Sequence, residues 1–465
     1  MKQWAIVGLT ILGGSVGGVG CSGGGMAAPS AEGDLVKNTS AISTRTLATN
    51  TQFFVPAPQP GAVQQVANLL KAKDLLNAAR VAAMAVTPQA VWFESGSPAD
   101  VQKSVKKTMA QAALEKRVPI LVSYNIPYRD CAQYSTGGAL DTPSYEAWID
   151  GFAAGIGKGK AVVILEPDGL GLIPYNTTIY GAAEWCQPTL PAGTTAQQLN
   201  QARYTQLNYA VDSIESKAPN AQVYLDATHS AWLGTGEAAY RLFQAGVQRA
   251  DGFFLNVSNY QPTDQSIQFG TWVSMCLAFA TNPDEGGWRL NNFSWCASQY
   301  NPATNYAIDY SAAWETQVTA QIQGMMGNAV ATTRFVIDTS RNGNGPLNAA
   351  SYGLAPYNQP ASVVSALNGT WCNPPGAGLG LRPSANTGVP LLDAYLWVKT
   401  PGESDGSCDI AGGARAWNYG DYDPWPSTID QNHFDPLWGI VDPAAGAWFP
   451  QQALQLVKLA NPKLR

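Results

Sequence analysis

Two short stretches of the chain place acidic and aromatic residues immediately after apolar runs. PILVSYNIPYRDC presents Tyr124 and Asp130, and AVVILEPDG presents Glu166 and Asp168. Carboxyl groups at such positions serve as general acids, general bases or nucleophiles, although an Asp also commonly caps the helix that follows it. Two Asp residues in neighbouring loops favour a reacting centre over capping alone.

The composition excludes some functions and favours others. Of the 465 residues, 45% are apolar and 13% are charged, and the net charge is -6. We expect no nucleic acid partner, because binding a polyanion needs a basic surface. The 15 Trp and 19 Tyr residues suit neutral sugars, which bind by stacking and hydrogen bonding. We also expect a monomer.

The first residues have the pattern of an export signal. A Lys, a short apolar run and small residues lead to Cys21, and the run is too short to span a membrane. The sequence around Cys21 is similar to a bacterial lipoprotein cleavage site, except that Gly18 stands where such sites usually carry Leu. We therefore expect a signal peptide over residues 1–21, a flexible spacer over 22–52 and a catalytic domain over 53–465. The protein would be secreted, or tethered to the outer cell surface through lipid on Cys21.

The other six cysteines are expected to form disulfides, as is typical of exported proteins. Their positions in the inferred fold suggest three pairs, each closing a long loop: Cys131 with Cys186, Cys276 with Cys296, and Cys372 with Cys408. A zinc site is not expected, because the chain has no CxxC motif and two His residues in all. We expect no metal and no cofactor.

The elements that position these groups alternate along the chain. Apolar runs predict seven strands: Ala90–Phe93, Ile120–Tyr124, Val162–Leu165, Gln222–Leu225, Gly252–Val257, Arg334–Asp338 and Ala394–Val398. Helical patterns are found at Val63–Met84, Val101–Arg117, Tyr145–Ile156, Ala196–Lys217 and Glu237–Ala245. Alternation of this kind predicts an α/β fold with a parallel sheet. A distorted seven-stranded β/α barrel, similar to a TIM barrel, is favoured over an open doubly wound sheet, because no glycine-rich phosphate-binding sequence follows a strand.

The ends of these strands carry polar, acidic and aromatic residues, and in a parallel barrel such ends meet at the active site. In order they present Trp92; Tyr124 and Asp130; Glu166 and Asp168; Asp226, His229 and Trp232; Asn256 and Asn259; Asp338 and Arg341; Lys399, Glu403 and Asp405. Singly, Asp226 or Asp338 could hold buried backbone, Glu166 could pair with a basic residue, and Trp232 could pack in the core. Seven such ends together indicate a site.

The available residues limit the chemistry of that site. A serine hydrolase of the GxSxG type is not favoured, because the match GESDG at Gly402–Gly406 is not followed directly by a predicted helix as a nucleophile elbow requires, and two His residues are few for a metal hydrolase. Glycoside hydrolysis needs two carboxyl groups and gains from aromatic platforms. A carbohydrate-binding protein without activity, or a retaining glycosidase on an ordinary barrel, would be the alternatives.

Five sequence motifs, taken together, are similar to those of a known enzyme family. YNIPYRDC, ILEPDGL, DATHSAWLG, LRPSANTG and WVKTPGESDG occur in this order, and together they resemble glycoside hydrolase family 6, the cellulases. The resemblance runs from about Phe53 to the C-terminus. It implies a distorted seven-stranded barrel and hydrolysis of β-1,4-glucosidic bonds in cellulose with inversion at the anomeric carbon.

The resemblance also implies roles for single residues. Asp168 matches the general acid, Asp130 the carboxylate that keeps this acid protonated, and Tyr124 the residue that crowds the sugar at subsite -1. Asp405 matches the debated catalytic base. In this family the attacking water is alternatively reached through a relay in the loop after Arg129, which here corresponds to Ser135 or Thr136.

The same resemblance places sugar-binding groups along the cleft. Stacking platforms match Trp92, Trp232 and Trp371, and hydrogen-bonding groups match His229, Lys399 and Glu403; Asn259, at a strand end, is a further candidate. The chain departs from many fungal exo-acting members at Thr235, where they carry another Trp. A distal sugar platform on the product side is therefore not expected at this position.

Loop length decides between the two modes of attack. The segment from Lys399 to Trp448 is far longer than an ordinary connection and contains GGARAWNYGDYDPW, which suits a lid. In the family, long loops here resemble those that roof the cleft of cellobiohydrolases. The segment Tyr175–Gln198, tied by Cys186, would add to the roof. We therefore predict release of cellobiose from chain ends, with an open-cleft endoglucanase as the alternative.

Overall fold

Seven parallel strands form one curved sheet in the computed structural model of the protein, which describes residues 45–132, 134–346, 348–355, 358–365, 371–408, 434–435 and 437–464. The strands are Val91–Phe93, Ile120–Ser123, Ala161–Leu165, Ala221–Asp226, Gly252–Leu255, Arg334–Asp338 and Leu392–Leu396. Each strand pairs with the next one along the chain, so the order in the sheet follows the sequence. The predicted seven-stranded parallel β/α barrel is confirmed.

The first and the last strand of this sheet meet at a seam. In the described part of the chain the sheet ladder does not join them. One backbone hydrogen bond bridges them, from Ala90 N to Trp397 O at 2.9 Å. The Trp92 indole adds a second contact, with Nε1 donating to Val398 O at 2.8 Å. The barrel is therefore distorted at this seam rather than closed by an eighth strand.

Strand residues are buried on both faces of the sheet, which explains why their sequences lack alternation. In the third strand, Val162 and Ile164 belong to the cluster inside the barrel. Their neighbours Val163 and Leu165 pack outward into the larger cluster that contains helix residues such as Trp148. An interior of apolar side chains fills the barrel below its polar rim.

Ten α-helices are found among the described residues, most of them packed around the sheet. They are Pro60–Lys71, Leu75–Ala85, Pro98–Leu114, Thr142–Ile156, Ala196–Lys217, Thr235–Gln244, Thr263–Ala280, Ala312–Met326, Ala361–Ser365 and Pro450–Lys458. The two helices at Thr263–Ala280 and Ala312–Met326 were not part of the sequence prediction. Short two-residue strands pair outside the barrel, Tyr300–Asn301 with Ala307–Ile308 and Phe434–Asp435 with Ile440–Val441.

The single helix predicted for Val63–Met84 is wrong, because the chain forms two helices there. Lys73 lies between them with a left-handed φ of 61°, which ends the first helix. Asp74 then caps the second helix, its carboxylate accepting a hydrogen bond from Asn77 N at 3.3 Å. An Asp followed by a good helical sequence is a start signal that the apolar periodicity conceals.

The packed chain begins before Phe53. Arg45 lies in the predicted spacer, yet its guanidinium pairs with Asp251 at 2.9 Å and with Glu215 at 2.5 Å. Leu47 is buried in the cluster inside the barrel. The described residues all lie in one unit, residues 42–465. None of their helices is long and apolar enough to cross a membrane. Cys21 and residues 1–44 lie outside the described residues.

Three disulfides pair the cysteines as the sequence suggests. They join Cys131 to Cys186, Cys276 to Cys296 and Cys372 to Cys408. The first and the third link segments that lie at the polar rim of the barrel, where a long loop has few other restraints. Each closed loop lowers the conformational entropy of the unfolded chain and so stabilises the fold.

Candidate active site

A cleft lies at the C-terminal ends of the strands, and it consists of two adjoining cavities of about 500 Å³ each. Both cavities share Trp92, Tyr124, Ser135 and Lys399. The first is also lined by Asp130, Asp168, His229, Trp232, Asn259, Trp371 and Asp405. The second adds Thr136 and Glu403. All catalytic and substrate-binding residues predicted from the sequence therefore line this cleft.

The acidic residues at the strand ends divide into two groups. Glu166 is fully buried and satisfies polar groups of the neighbouring strand end: Ser123 Oγ donates to it at 2.6 Å, and Asn125 N and Ile126 N donate at 2.8 and 2.9 Å. This interaction fixes the backbone just after Tyr124. Glu166 thus holds the loop that carries other site residues and does not reach the cleft.

Asp338 has a similar structural role at the sixth strand. Its carboxylate accepts hydrogen bonds from the backbone N–H groups of Ser258, Ser340, Val398 and Lys399, at 2.9–3.2 Å. Three strand ends are joined through this one side chain. The alternative reading of Asp338, as a residue that satisfies buried backbone, describes its contacts fully.

Asp168 is the carboxyl group whose surroundings most strongly disfavour a negative charge. Burial raises its pKa well above the usual range, and the charges of Asp226, Asp130 and Asp405 raise it further against the opposing effect of Lys399. Like charges close together cannot all remain ionised. Its backbone is left-handed at φ 61°, a conformation that is uncommon for non-glycine residues and concentrates at functional sites. Asp168 is therefore set up to hold a proton and donate it.

Asp226 interacts with Asp168 and has two roles: it holds backbone groups by hydrogen bonds, and its charge raises the pKa of Asp168. One oxygen accepts from Leu170 N and Gly171 N at 3.1 Å each, and the other accepts from Thr228 N at 2.8 Å. These bonds fix the turn that carries Asp168. Burial raises the pKa of Asp226 to about 6, and its charge is the largest electrostatic influence on the proton of Asp168. The sequence analysis placed Asp226 at this rim but did not assign it to the site.

Asp130 has an intermediate environment. Burial raises its pKa to about 6, while a hydrogen bond from Ser135 N at 2.6 Å and the cations of Arg129 and Lys399 favour the charged form. Its backbone is also left-handed, at φ 57°. At neutral pH this group is mostly ionised. A negative Asp130 then keeps the proton on Asp168.

Asp405 has the opposite character. Burial works against its charge, but the guanidinium of Arg341, the ammonium of Lys399 and hydrogen bonds together hold the pKa of Asp405 below its usual range. Arg341 Nη2 donates to Oδ1 at 2.8 Å, and Tyr260 Oη and Asn373 N donate to Oδ2 at 2.6 and 2.9 Å. A carboxylate has about four acceptor positions, so one remains for a further donor such as water.

Tyr124 stands in the floor of the cleft with its ring fixed from two sides. The Arg129 guanidinium lies over the ring at 4.6 Å from its centroid, and Trp92 meets it edge-on at 5.3 Å between centroids. Burial raises the pKa of the phenol well above its usual range, and the charges of Asp168 and Asp130 add to this effect. The hydroxyl group is therefore a neutral donor at any ordinary pH.

Aromatic and hydrogen-bonding groups line the rest of the cleft. Trp232 packs on His229 at 5.6 Å between centroids, and Trp371 packs on Tyr134 at 6.1 Å. Burial lowers the pKa of His229 to about 3, and its Nδ1 accepts from Ala231 N at 3.1 Å. The imidazole is thus neutral and carries its hydrogen on Nε2.

Several polar side chains also line the cleft, and most of them form hydrogen bonds with backbone groups. Lys399 Nζ donates to Ser404 O at 3.2 Å, and burial raises the pKa of Glu403. Asn259 Oδ1 accepts from Tyr260 N at 3.0 Å. The Arg129 guanidinium donates to the carbonyl oxygens of Ser135 and Thr136, which fixes the loop named for a proton relay.

Besides Asp226, four residues that matter for this geometry were not assigned to the site from the sequence. Arg341, Tyr260 and Asn373 hold Asp405, and Trp185 lines the same cavity as Trp232. Arg341 was visible as a polar residue at a strand end. The other three come from loops whose sequences carry no periodic or motif signal, so only the fold brings them here.

Comparison with known proteins gives consistent results. The sequence profile of the family "Glycosyl hydrolases family 6" matches residues 48–460. "Endoglucanase A" of Cellulomonas fimi is 33% identical over 335 residues, which is 72% of this chain and 53% of that protein. "Probable 1,4-beta-D-glucan cellobiohydrolase C" of Neosartorya fischeri is 26% identical over 406 residues, 82% of this chain and 72% of that protein. The chain thus spans about half the length of the first of these relatives.

A solved structure gives the same assignment. The endoglucanase Cel6 from Mycobacterium tuberculosis, in complex with a thio-linked cellobioside, superposes with a TM-score of 0.55 and 29% identity. The match covers 87% of this chain and 96% of the solved one. Because the family profile extends over nearly the whole described unit, the chain belongs to glycosyl hydrolases family 6.

Proposed function

We propose that the protein hydrolyses β-1,4-glucosidic bonds in cellulose and cello-oligosaccharides, with inversion at the anomeric carbon. The observation that carries this proposal is one cleft in which Asp168 retains its proton while Asp405 loses it, between aromatic side chains suited to sugar rings. Hydrolysis by a pair of carboxyl groups needs these two states at the same time, and the family resemblance supports inversion. The names of the relatives in Cellulomonas fimi and Neosartorya fischeri support the choice of a β-1,4-glucan as substrate.

Asp168 acts as the general acid. It gives its proton to the glycosidic oxygen while the bond between this oxygen and the anomeric carbon breaks, and the sugar develops positive charge. Asp130 and Asp226 raise the proton affinity of Asp168 before the reaction. The carboxylate that remains is reprotonated from water when the products leave.

Asp405 serves the attacking water. The three donors on Asp405 leave about one acceptor position, which orients the water towards the anomeric carbon from the opposite face of the sugar. Its negative charge also stabilises the oxocarbenium-like transition state. Because the low pKa of Asp405 makes it a weak base, we propose that the proton leaves through the Ser135 and Thr136 loop when it does not stay on Asp405.

Tyr124 and the Trp side chains position the substrate. The ring of Tyr124 is wedged between Arg129 and Trp92, so it cannot move away from a sugar that enters. This rigidity favours a distorted sugar next to Asp168. Trp92, Trp232 and Trp371 offer flat faces to the sugars on either side.

The stereochemistry of the product tests the reaction. Proton NMR during the first minutes of hydrolysis of cellohexaose is expected to show the α-anomer at the new reducing end before mutarotation. An early excess of the β-anomer would overturn inversion and the role of Asp405. No hydrolysis of any cello-oligosaccharide by the folded protein would overturn the proposed substrate.

For the mode of attack we propose release of cellobiose from chain ends. Support comes from the segment between Tyr175 and Gln198, which the Cys131–Cys186 disulfide fastens to the rim and which brings Trp185 into the cleft wall. The predicted lid sequence GGARAWNYGDYDPW lies outside the described residues. Internal attack is the second candidate, since the relative in Cellulomonas fimi and the solved structure from Mycobacterium tuberculosis are both endoglucanases.

Viscometry separates the two modes. On carboxymethyl cellulose, attack at chain ends is expected to release reducing sugar with a slow fall in viscosity. A steep early fall for each bond cut would contradict this mode and favour internal attack.

We further propose that the protein acts outside the cytoplasm. Its three disulfides suit an oxidising compartment. The proposal includes lipid attachment at Cys21, which follows from the sequence pattern. Labelling of producing cells with a radioactive fatty acid is expected to mark the wild-type protein and to leave Cys21→Ser unmarked; an unlabelled wild type would restrict the proposal to secretion.

A further inference from the structure

Trp185 is an exposed tryptophan in the wall of the cleft, and neither the family resemblance nor the comparisons give it a role. Its side chain remains 57% exposed and lines the same cavity as Asp168, His229 and Trp232. Single exposed aromatic side chains are common on protein surfaces, so the distinguishing feature of Trp185 is its place in the wall of this cavity. The ring therefore has an exposed face in this cavity, and its neighbour Cys186 belongs to the small cluster against which Trp232 packs.

The backbone around Trp185 is fixed on both sides. Cys186, its neighbour, is buried in the disulfide with Cys131, and its carbonyl oxygen accepts from Tyr175 N at 2.8 Å. Glu184, the neighbour on the other side, donates its backbone N–H to Asn176 O at 2.9 Å. The indole is thus attached to a rigid turn rather than to a loose loop.

A buried ion pair strengthens this attachment. The Glu184 carboxylate pairs with Arg241, whose side chain is fully buried. Arg241 also binds Glu237 at 2.7 Å and donates to Leu170 O at 2.7 Å. Leu170 follows closely after Asp168, so the wall that carries Trp185 and the turn that carries the acid share one anchor. A preorganised aromatic loses little entropy when a ligand stacks on it.

The neighbouring helix offers no competing platform. Thr235, where many fungal exo-acting relatives carry Trp, is fully buried at the first turn of its helix. The short Thr235 side chain is covered and is not among the described residues that line the cleft, so it offers no platform for a sugar. Trp185 lines the same cavity as Trp232, so this wall carries an aromatic side chain without a Trp at residue 235.

We propose that Trp185 is a stacking platform for one further glucosyl unit of a β-1,4-glucan, beyond the unit that stacks on Trp232. This inference rests on the proposed function, because it takes the same polymer as ligand. The alternating apolar faces of a glucan chain present C–H groups to flat aromatic rings, and the indole offers the largest such ring. The wall thereby lengthens the cleft at its Trp232 end.

Substrate length provides the test. We expect Trp185→Ala to raise KM for cellohexaose about tenfold, which corresponds to the loss of one well-packed aromatic contact, and to leave cellotriose hydrolysis nearly unchanged. Trp185→Tyr should restore most of the binding, because it keeps a flat ring. The control is Trp295→Ala, which removes a Trp of similar exposure, 51%, that is not among the described residues lining the cleft.

A binding measurement separates this proposal from the catalytic one. Calorimetry with cellohexaose on Asp168→Asn and on Asp168→Asn combined with Trp185→Ala should show about tenfold weaker binding for the double variant. Equal affinities, or equal changes of KM at every substrate length, would overturn the platform while the hydrolysis remains. Failure of the wild type to bind or cut any cello-oligosaccharide would overturn both proposals together.

Discussion

The surroundings of Asp168 and those of Asp405 differ although both carboxyl groups line the same cavity. Around Asp168 the charges with the largest influence on its pKa are those of two other carboxyl groups, Asp226 and Asp130, so a proton on Asp168 relieves repulsion. Around Asp405 an arginine, a tyrosine hydroxyl and a backbone N–H all donate to the carboxylate. One residue type therefore has opposite proton affinities on the two sides of the cleft.

This difference shows that the neighbouring charged and polar groups, rather than the extent of burial, decide which carboxyl group is protonated. Both carboxyl groups are desolvated by burial, and this effect alone would raise both pKa values. The charges around each group decide which one keeps its proton. An acid and an anion are produced a short distance apart from identical side chains.

Removing the proton donor should have the largest effect. Asp168→Asn keeps the shape of the side chain but cannot donate an acidic proton, so we expect kcat on unactivated cello-oligosaccharides to fall about 10²- to 10⁴-fold with nearly unchanged binding. Steady-state kinetics and calorimetry measure the two quantities. Asp264→Asn, at an exposed helix start, is the matched control, and near-normal turnover in folded Asp168→Asn would refute the role of the acid.

Removing the cation beside Asp405 should bring the pKa of Asp405 closer to that of Asp168. In Arg341→Gln the carboxylate loses a positive charge and a hydrogen bond, so its pKa rises and a higher pH is needed to ionise it. We expect the acid limb of kcat/KM to move up by about one to two pH units. Arg249→Gln, which breaks a surface pair with Asp212, controls for loss of charge. An unmoved acid limb in a folded Arg341→Gln would contradict the assignment of Asp405.

Removing the anions beside Asp168 should move the other limb. Without the negative charge of Asp226 or Asp130, the pKa of Asp168 falls, and the active protonated form is lost at a lower pH. We expect the alkaline limb to move down by about one unit, more for Asp226→Asn than for Asp130→Asn, because Asp226 has the larger influence. Thermal unfolding checks that the backbone bonds to residue 226 survive, and the reverse order of the two shifts would contradict the role given to Asp226.

The smallest effect is expected for Tyr260→Phe. This change removes one of the three donors to Asp405 and leaves Arg341 and Asn373 in place. The acid limb should rise by less than about one pH unit, with an activity loss below about tenfold. A shift larger than that of Arg341→Gln would mean that the hydroxyl, and not the guanidinium, dominates the charge of Asp405.

The strands and the positions of Tyr124, Asp130 and Asp168 in the cleft could be predicted from the sequence because their signals are local. Buried strands are continuous apolar runs, and the residues that follow them must lie at one edge of a parallel sheet. YNIPYRDC and ILEPDGL therefore located Tyr124, Asp130 and Asp168. The break at Lys73 was missed because its two flanking helices have compatible apolar spacing.

The partners of Asp405 and the platform at Trp185 could not be predicted in this way. Tyr260 is separated from Asp405 by 145 residues in the chain, and nothing in its local sequence indicates a contact. Trp185 lies in a loop with no periodic pattern. Such contacts depend on how loops from different strands fold over the rim. They join residues that are far apart in the chain, so no local sequence pattern indicates them.

The seam between the first and last strand bears on how a polymer reaches the acid. In a fully closed barrel the rim is unbroken, and the loops on it alone shape the cleft. Here Trp92 lies on one side of the seam and Lys399 on the other, and both line the cleft. Among the described residues no eighth strand separates Trp92 from Lys399, so the two cavities that share these residues extend across the seam, and the proposed glucan substrate crosses the rim at this place.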